Sequence, residues 1–134
     1  MDTPLAPSTT FVSVTRLRLR SPWTLPAFYW YTGRSFRQVK NAPGHLASTP
    51  RRQPNFTFWT LTVWHDQAAM RAYRSSGAHR QAMPKLATWC DEASYTHWEQ
   101  QGASLPTWEV AESQMKSEGH FSPVKHPSSA HAER

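Results

Sequence analysis

The residues able to carry chemistry at neutral pH are few: an imidazole at position 79, two guanidiniums at 16 and 18, and indoles at 59, 64 and 98. His79, Met83, Leu86 and Cys90 fall at i, i+4, i+7 and i+11, within about 60° of one another on a helix. His79 therefore sits on an apolar helix face, just after Gly77. A neutral imidazole there can act as a general base, hydrogen-bond a ligand or coordinate a haem iron. The alternative is a core histidine that bonds a backbone carbonyl or caps the helix. Arg16 and Arg18, at i and i+2, project from one face of a strand. Lining a pocket, they can bind a carboxylate or stabilise an enolate or phenolate. Otherwise they form ion pairs at an edge or across a dimer.

Trp59, Trp64 and Trp98 stand on neighbouring strands and can wall a planar ligand, or simply pack a core. Tyr73 lies on the apolar stripe of a helix and can donate a hydrogen bond into the same space. Met83 shares the His79 face and joins this ligand-binding set. His97 shares a strand face with Tyr95 and Glu99, an arrangement that serves acid–base work or an ordinary surface strand. His120, His126 and His131 have no metal-site spacing. Cys90 has no partner thiol, so it reads as buried and inert. Phosphate-binding glycine loops, HExxH and GxSxG are absent, which argues against nucleotide-dependent enzymes, zincins and serine hydrolases.

The elements that must position these groups follow from periodicity. FVSVTRLRLR (11–20) alternates as a strand. Leu25 to Ala42 is a helix with Pro26 at its start and Pro43-Gly44 as its stop. His45 to Arg52 is a short strand interrupted by Pro50. Asn55 to Trp64 is a strong strand with large side chains on both faces, so both faces should be covered. Asp66 caps a helix through Ser75, Gly77 ends it, and a second helix runs from Ala78 to Cys90, bent at Pro84. Ser94 to Gln100 is a further strand, and Pro106 to Val110 a short edge strand. The order β-α-β-β-α-β predicts a ferredoxin-like α+β domain over residues 11–112. Residues 1–10 are expected to be flexible, and the polar residues 113–134 a disordered tail.

The chain of 134 residues suits one domain, and its seven tryptophans can bury much area. No apolar run is long enough to cross a membrane and no secretory signal is evident, so a cytoplasmic protein is expected. The net charge of +6 is uneven. Residues 1–90 hold twelve lysines and arginines against two acids, and residues 91–134 hold three against seven. The basic residues form no dense run, so no nucleic-acid partner is expected, although an anionic surface is an alternative.

The run FWTLTVWHDQAAMRAYRSSGAH, then AMPKLATWCDEA, then HWEQ, resembles the DUF3291 proteins of the dimeric α+β barrel superfamily. That superfamily includes antibiotic-biosynthesis monooxygenases, haem-degrading monooxygenases and, by weaker similarity, spheroidene monooxygenase. The resemblance implies a homodimer closed by sheet-on-sheet packing, with a pocket between sheet and helices. It also implies either no cofactor or haem, with His79 as the iron ligand in the second case. Together the residues and the resemblance predict a small monooxygenase-like enzyme acting on an apolar aromatic or polyene ligand. Its base would be His79 and its anion-stabilising cation Arg16 or Arg18. The alternative is a non-catalytic dimeric protein that binds a hydrophobic ligand or haem.

Overall fold

The computed structural model describes residues 9–132. Thr9 and Thr10 already belong to the first strand, and the rest of the expected flexible N-terminus lies outside the described residues. Strand β1 (Thr9–Leu19) is followed by a 3-10 turn, Pro22–Thr24, whose first N–H, from Trp23, is satisfied by the Ser21 hydroxyl. The turn runs into helix α1 (Leu25–Lys40), which buries Phe28 and Val39 and has Pro26 where no N–H partner is needed. Gly44, at φ +83°, then turns the chain where a Cβ would lie 2.5 Å from that of Ala69.

Strands β2 (His45–Gln53) and β3 (Thr57–Trp64) form a hairpin. Its three-residue turn, 54–56, holds Asn55 and Phe56 in the left-handed region at φ 65° and 58°. Asp66 accepts a hydrogen bond from the Ala69 N–H at 2.9 Å and caps α2 (Gln67–Arg74). Helix α3 (Gly77–Trp89) follows, with Pro84 inside it, and feeds β4 (Cys90–Gln101). The sheet order is β2-β3-β1-β4-β5, with every neighbouring pair antiparallel. This is the ferredoxin-like β-α-β-β-α-β arrangement, with its second crossover helix split into α2 and α3.

The C-terminal region differs from the disordered tail and the short edge strand expected there. Residues from Pro106 onward enter a helix, α4 (Trp108–Glu118), capped by the Thr107 hydroxyl. A two-residue strand, β5 (His120–Phe121), then pairs with β4, and a short helix, α5 (Ser129–Ala132), ends the described chain. Helix α4 packs Ala111, Trp108 and Met115 on the sheet, and the residues after it satisfy polar groups along β4. Ser122 and Ser128 donate their N–H groups to the carbonyls of Ala93 and Asp91 at 2.8 and 2.9 Å, and His131 is buried against the Ala93 carbonyl. Composition alone misjudges a segment held by hydrogen bonds to a strand edge.

The two faces of the sheet have different covers. Helices α1 to α3 lie over Phe11, Ser13, Thr15, Thr62 and Trp64. Helix α4 lies over Val12, Val14, Trp59, Leu61 and Val63, with Ala111 fully buried between them. Burial of each aliphatic side chain in that layer contributes about 1.5–3 kcal/mol. The two-sided apolar pattern of β3 is thus satisfied within the chain, and it needs no partner sheet to explain it.

Candidate functional site

A cavity of about 350 Å³ lies between the helix layer and the sheet. Its floor comes from the strand register. Ser13 faces Thr62 on one side and His97 on the other, and Thr15 likewise faces Thr60 and Tyr95. Opposed residues of antiparallel strands share a face, so two cross-strand rows of hydroxyl and aromatic groups point at the helices. The roof is apolar, with Phe36 and Val39 from α1, Met70 from α2, and Met83 and Leu86 from α3. Four hydroxyls facing such a roof suit a largely apolar ligand with a few polar substituents.

His79 stands at this cavity, its ring 4.9 Å from that of Tyr73, which is 5.2 Å from Trp64. The Nδ1 of His79 lies 3.3 Å from the Arg74 carbonyl, which can only accept, so Nδ1 carries the proton and Nε2 is left as an acceptor. Burial lowers the pKa of His79 below 6.5, the hydrogen bond to Arg74 opposes this, and the Arg74 charge adds to the lowering. His79 is therefore neutral at pH 7. Tyr73 donates its hydroxyl to the Ser35 carbonyl at 3.2 Å. Burial pushes its phenol up to about 12 against that bond, so Tyr73 stays protonated. His97 packs against Tyr95 and Phe11, with ring centroids 5.3 Å away in each case. Its pKa is lowered by burial and then by the charges of Arg74, His120 and Arg71.

The position of His79 depends on Gln38, which sequence reasoning missed. Its amide nitrogen donates to the carbonyls of Tyr73 (3.1 Å) and Ser76 (2.8 Å), and its amide oxygen accepts from the His79 N–H (2.9 Å). One side chain of α1 thereby clamps the joint between α2 and α3. Gly77 makes room for it: at φ +58° a Cβ there would meet the Gln38 carboxamide at 3.1 Å. The Gly break was legible in the sequence, but its partner 39 positions earlier was not.

Among the residues expected from sequence, the fold brings His79, Trp64, Tyr73, Met83 and His97 to the cavity. Arg16, Arg18, Trp59 and Trp98 go to the opposite face of the sheet. Arg16 donates to Glu92 at 2.8 Å, and Arg18 contacts Glu92 at 3.4 Å and Asp91 at 3.2 Å. Trp59 and Trp98 pack in the α4 layer instead. The reason is strand parity: even positions of β1 share a face with odd positions of β3. The cation at the cavity is Arg74, at the end of α2. Cys90 is buried, and burial with the adjacent Asp91 charge pushes its thiol up to about 12, as an inert core thiol requires.

Haem fits this lining poorly. A histidine whose Nδ1 is tied to a carbonyl suits an axial ligand. But about 350 Å³ is at the lower end of ligand cavities. A tetrapyrrole would also bring two propionates to a lining in which Arg74 is the one guanidinium among the described residues. No three His, Cys, Asp or Glu side chains among the described residues group closely enough to hold a metal ion.

Comparison with known proteins agrees with this architecture. The family model described as antibiotic biosynthesis monooxygenase matches residues 34–85, from the second half of α1 through the β2–β3 hairpin and α2 into α3. Among solved structures, a protein of unknown function from Nitrosomonas europaea shares 19% identity and a TM-score of 0.61, over 75% of this chain and 97% of that one. A conserved protein from Methanosarcina mazei has a TM-score of 0.61 at 13% identity, over 68% and 92%. The cofactor-independent oxygenase SnoaB from Streptomyces nogalater has a TM-score of 0.55 at 17% identity, over 73% and 98%. No curated protein matches the chain. The fold is an α+β ferredoxin-like antiparallel sheet that matches solved antibiotic-biosynthesis-monooxygenase-like structures, with α1–α3 on one face and α4 on the other.

Proposed function

We propose that the protein is a small cofactor-independent oxygenase acting on a planar, largely apolar phenolic or anthrone-like ligand. The observation that carries this is the state of His79: neutral, tied through Nδ1 to the Arg74 carbonyl, and lining a cavity with an apolar roof and a hydroxyl floor. In this reading Nε2 takes a proton from an activated C–H of the ligand. The resulting anion is stabilised by Arg74, while Trp64, Tyr73 and Phe36 hold the ring system. The carbanion then reduces O2 directly. One oxygen atom stays on the carbon as a ketone and the other leaves as water, so oxidation of the ligand's own CH2 to C=O supplies all four electrons that reduce O2 and both protons of the water. The resemblance of the fold to SnoaB supports this chemistry over plain ligand storage.

The experiment is oxygen uptake with a panel of anthrones and hydroquinones, for the wild type and His79→Ala, with ligand affinity measured beside it. Uptake that depends on His79 supports the enzyme. Ligand binding without uptake would turn the reading into a non-catalytic carrier of a hydrophobic ligand.

The same reading includes a homodimer, a cytoplasmic location and the narrower DUF3291 assignment. The dimer is supported by the resemblance of the fold and by apolar side chains still exposed at Leu46, Leu105 and Val110. No helix among the described residues is long and apolar enough to cross a membrane.

A further inference from the structure

We propose that the outer face of the α1–α3 layer docks onto an anionic lipid surface, with Trp23 and Trp30 seated among the headgroups and the cavity mouth turned toward the lipid. The first observation is charge segregation. Helices α1, α2 and α3 carry Arg34, Arg37, Lys40, Arg71, Arg74, Arg80 and Lys85, and contain no Asp or Glu. Among the described residues none of these seven has a carboxylate partner. On this side of the sheet the described acids are Asp66, which caps α2, and Glu99, which stands opposite Phe11 on the β4 row that faces the helices; the other described acids lie elsewhere. Asp91 and Glu92 are engaged by Arg16 and Arg18, Glu112 by Arg51, and Glu109 and Glu118 stand on α4, across the sheet. The helix layer thus carries a cationic excess whose seven basic side chains have no carboxylate partner among the described residues.

The second observation is aromatic. Trp23, in the turn before α1, is 89% exposed, and Trp30 is 58% exposed. Large indoles in water are costly, and an indole suits the boundary between headgroups and hydrocarbon, where its ring is apolar and its N–H stays wet. Cations accompany these rings. The Arg34 guanidinium lies 4.8 Å from the Trp30 ring, and the Lys85 ammonium 5.4 Å from Tyr31. Basic side chains beside interfacial aromatics attract anionic lipid, and the attraction adds with each charge.

The third observation joins this face to the cavity. Trp30 packs on Tyr31 at 4.8 Å, and Tyr31 and the 46% exposed Met83 both line the cavity. A ligand dissolved in lipid would therefore enter at the α1–α3 seam without crossing water. Nucleic acid also seeks cations and aromatic rings, but it needs them along a groove that tracks a backbone. Here they spread over three helices around an apolar mouth, which favours lipid. The docking does not depend on the reaction; only the direct entry of ligand rests on the apolar-ligand reading above.

The test is sedimentation of the full chain with vesicles of phosphatidylcholine alone and of phosphatidylcholine mixed with phosphatidylglycerol. Brominated lipids in a parallel set report quenching of exposed tryptophan. Binding to the mixed vesicles only, weakening with salt, and quenched fluorescence are expected. Trp23→Ser with Trp30→Ser should weaken binding by about tenfold or more, and Arg37→Gln with Lys40→Gln and Arg80→Gln by a similar factor. All five residues are exposed or lie at the surface of the helix layer, and melting curves confirm that the variants fold. His79→Ala should bind vesicles like the wild type, which separates this surface from the reaction. Equal partition onto both vesicle types, absence of quenching, or binding to single-stranded DNA but not to vesicles at the same salt would overturn the proposal.

Discussion

At the scale of single residues, His79 carries the most weight. Replacement by Ala removes the base and should reduce turnover or ligand affinity by about tenfold or more. The lost Nδ1 bond should cost only about 1 kcal/mol of stability. Its pH dependence has a defined sign. The folded pKa lies below 6.5, so the unfolded chain takes up a proton first as pH falls. Stability linked to His79 is complete above the unfolded value and declines as pH drops toward the folded one. Ligand binding through Nε2 should fail in the same direction, which titration of affinity against pH will read. Gln38 is a positioning residue for this imidazole. Gln38→Ala should loosen the α2–α3 joint by about 1–2 kcal/mol. It should also move the His79 titration midpoint seen by NMR, an effect that a merely structural role elsewhere in α1 would not produce.

At the scale of elements, α4 is the departure from the expected fold. It is locked to the sheet by Arg51, whose guanidinium lies 5.0 Å from the Trp59 ring and 4.5 Å from the Trp108 ring while pairing with Glu112 at 2.7 Å. Removing residues 108–134 should uncover Val12, Val14, Leu61 and Val63 together. We expect a large drop in melting temperature and binding of a hydrophobic dye. Trp108→Ala alone should cost about 2 kcal/mol. A truncated chain that melts like the full one would show that α4 contributes nothing to the core. The last segment is tied more locally. Glu92 receives hydrogen bonds from Arg16 and Ser128. Burial alone would raise its carboxyl, but these bonds and the charges of Arg16 and Arg18 outweigh burial and hold it low. The stability it supplies is present above the ordinary carboxylate range and is lost as pH falls through the lowered value. Glu92→Gln should flatten that acid limb of the melting profile.

At the scale of the whole molecule, the chain is polarised, with a cationic helix layer on one side of the sheet and paired or acidic groups on the other. The cavity is lined in part by this cationic layer, through Arg74 and His79. The homodimer is then expected to use the α4 side, where Leu46, Leu105 and Val110 remain exposed. Light scattering should give about twice the 15.4 kDa mass of the chain, and a monomer at micromolar concentration would remove the dimer from the proposed function. Leu61→Asp would not test that dimer, because Leu61 is fully buried beneath α4 and the change would unfold the chain instead.

Periodicity and punctuation in the sequence determined the order β-α-β-β-α-β, the ends of α1, α2 and α3, and the placing of His79 on an apolar helix face. These are local properties: alternation, caps, and glycine or proline stops act within a few residues of where they are read. The tertiary structure decided which face of each strand looks into the cavity. That choice sent Arg16, Arg18, Trp59 and Trp98 to one side and Ser13, Thr15, Thr60 and His97 to the other. Both faces of β1 and β3 are hydrophobic enough to be buried, so local pattern could not rank them. Only the docking of α4 through Arg51 and the bridging of α1 to α3 through Gln38, contacts between residues far apart in the chain, broke the tie.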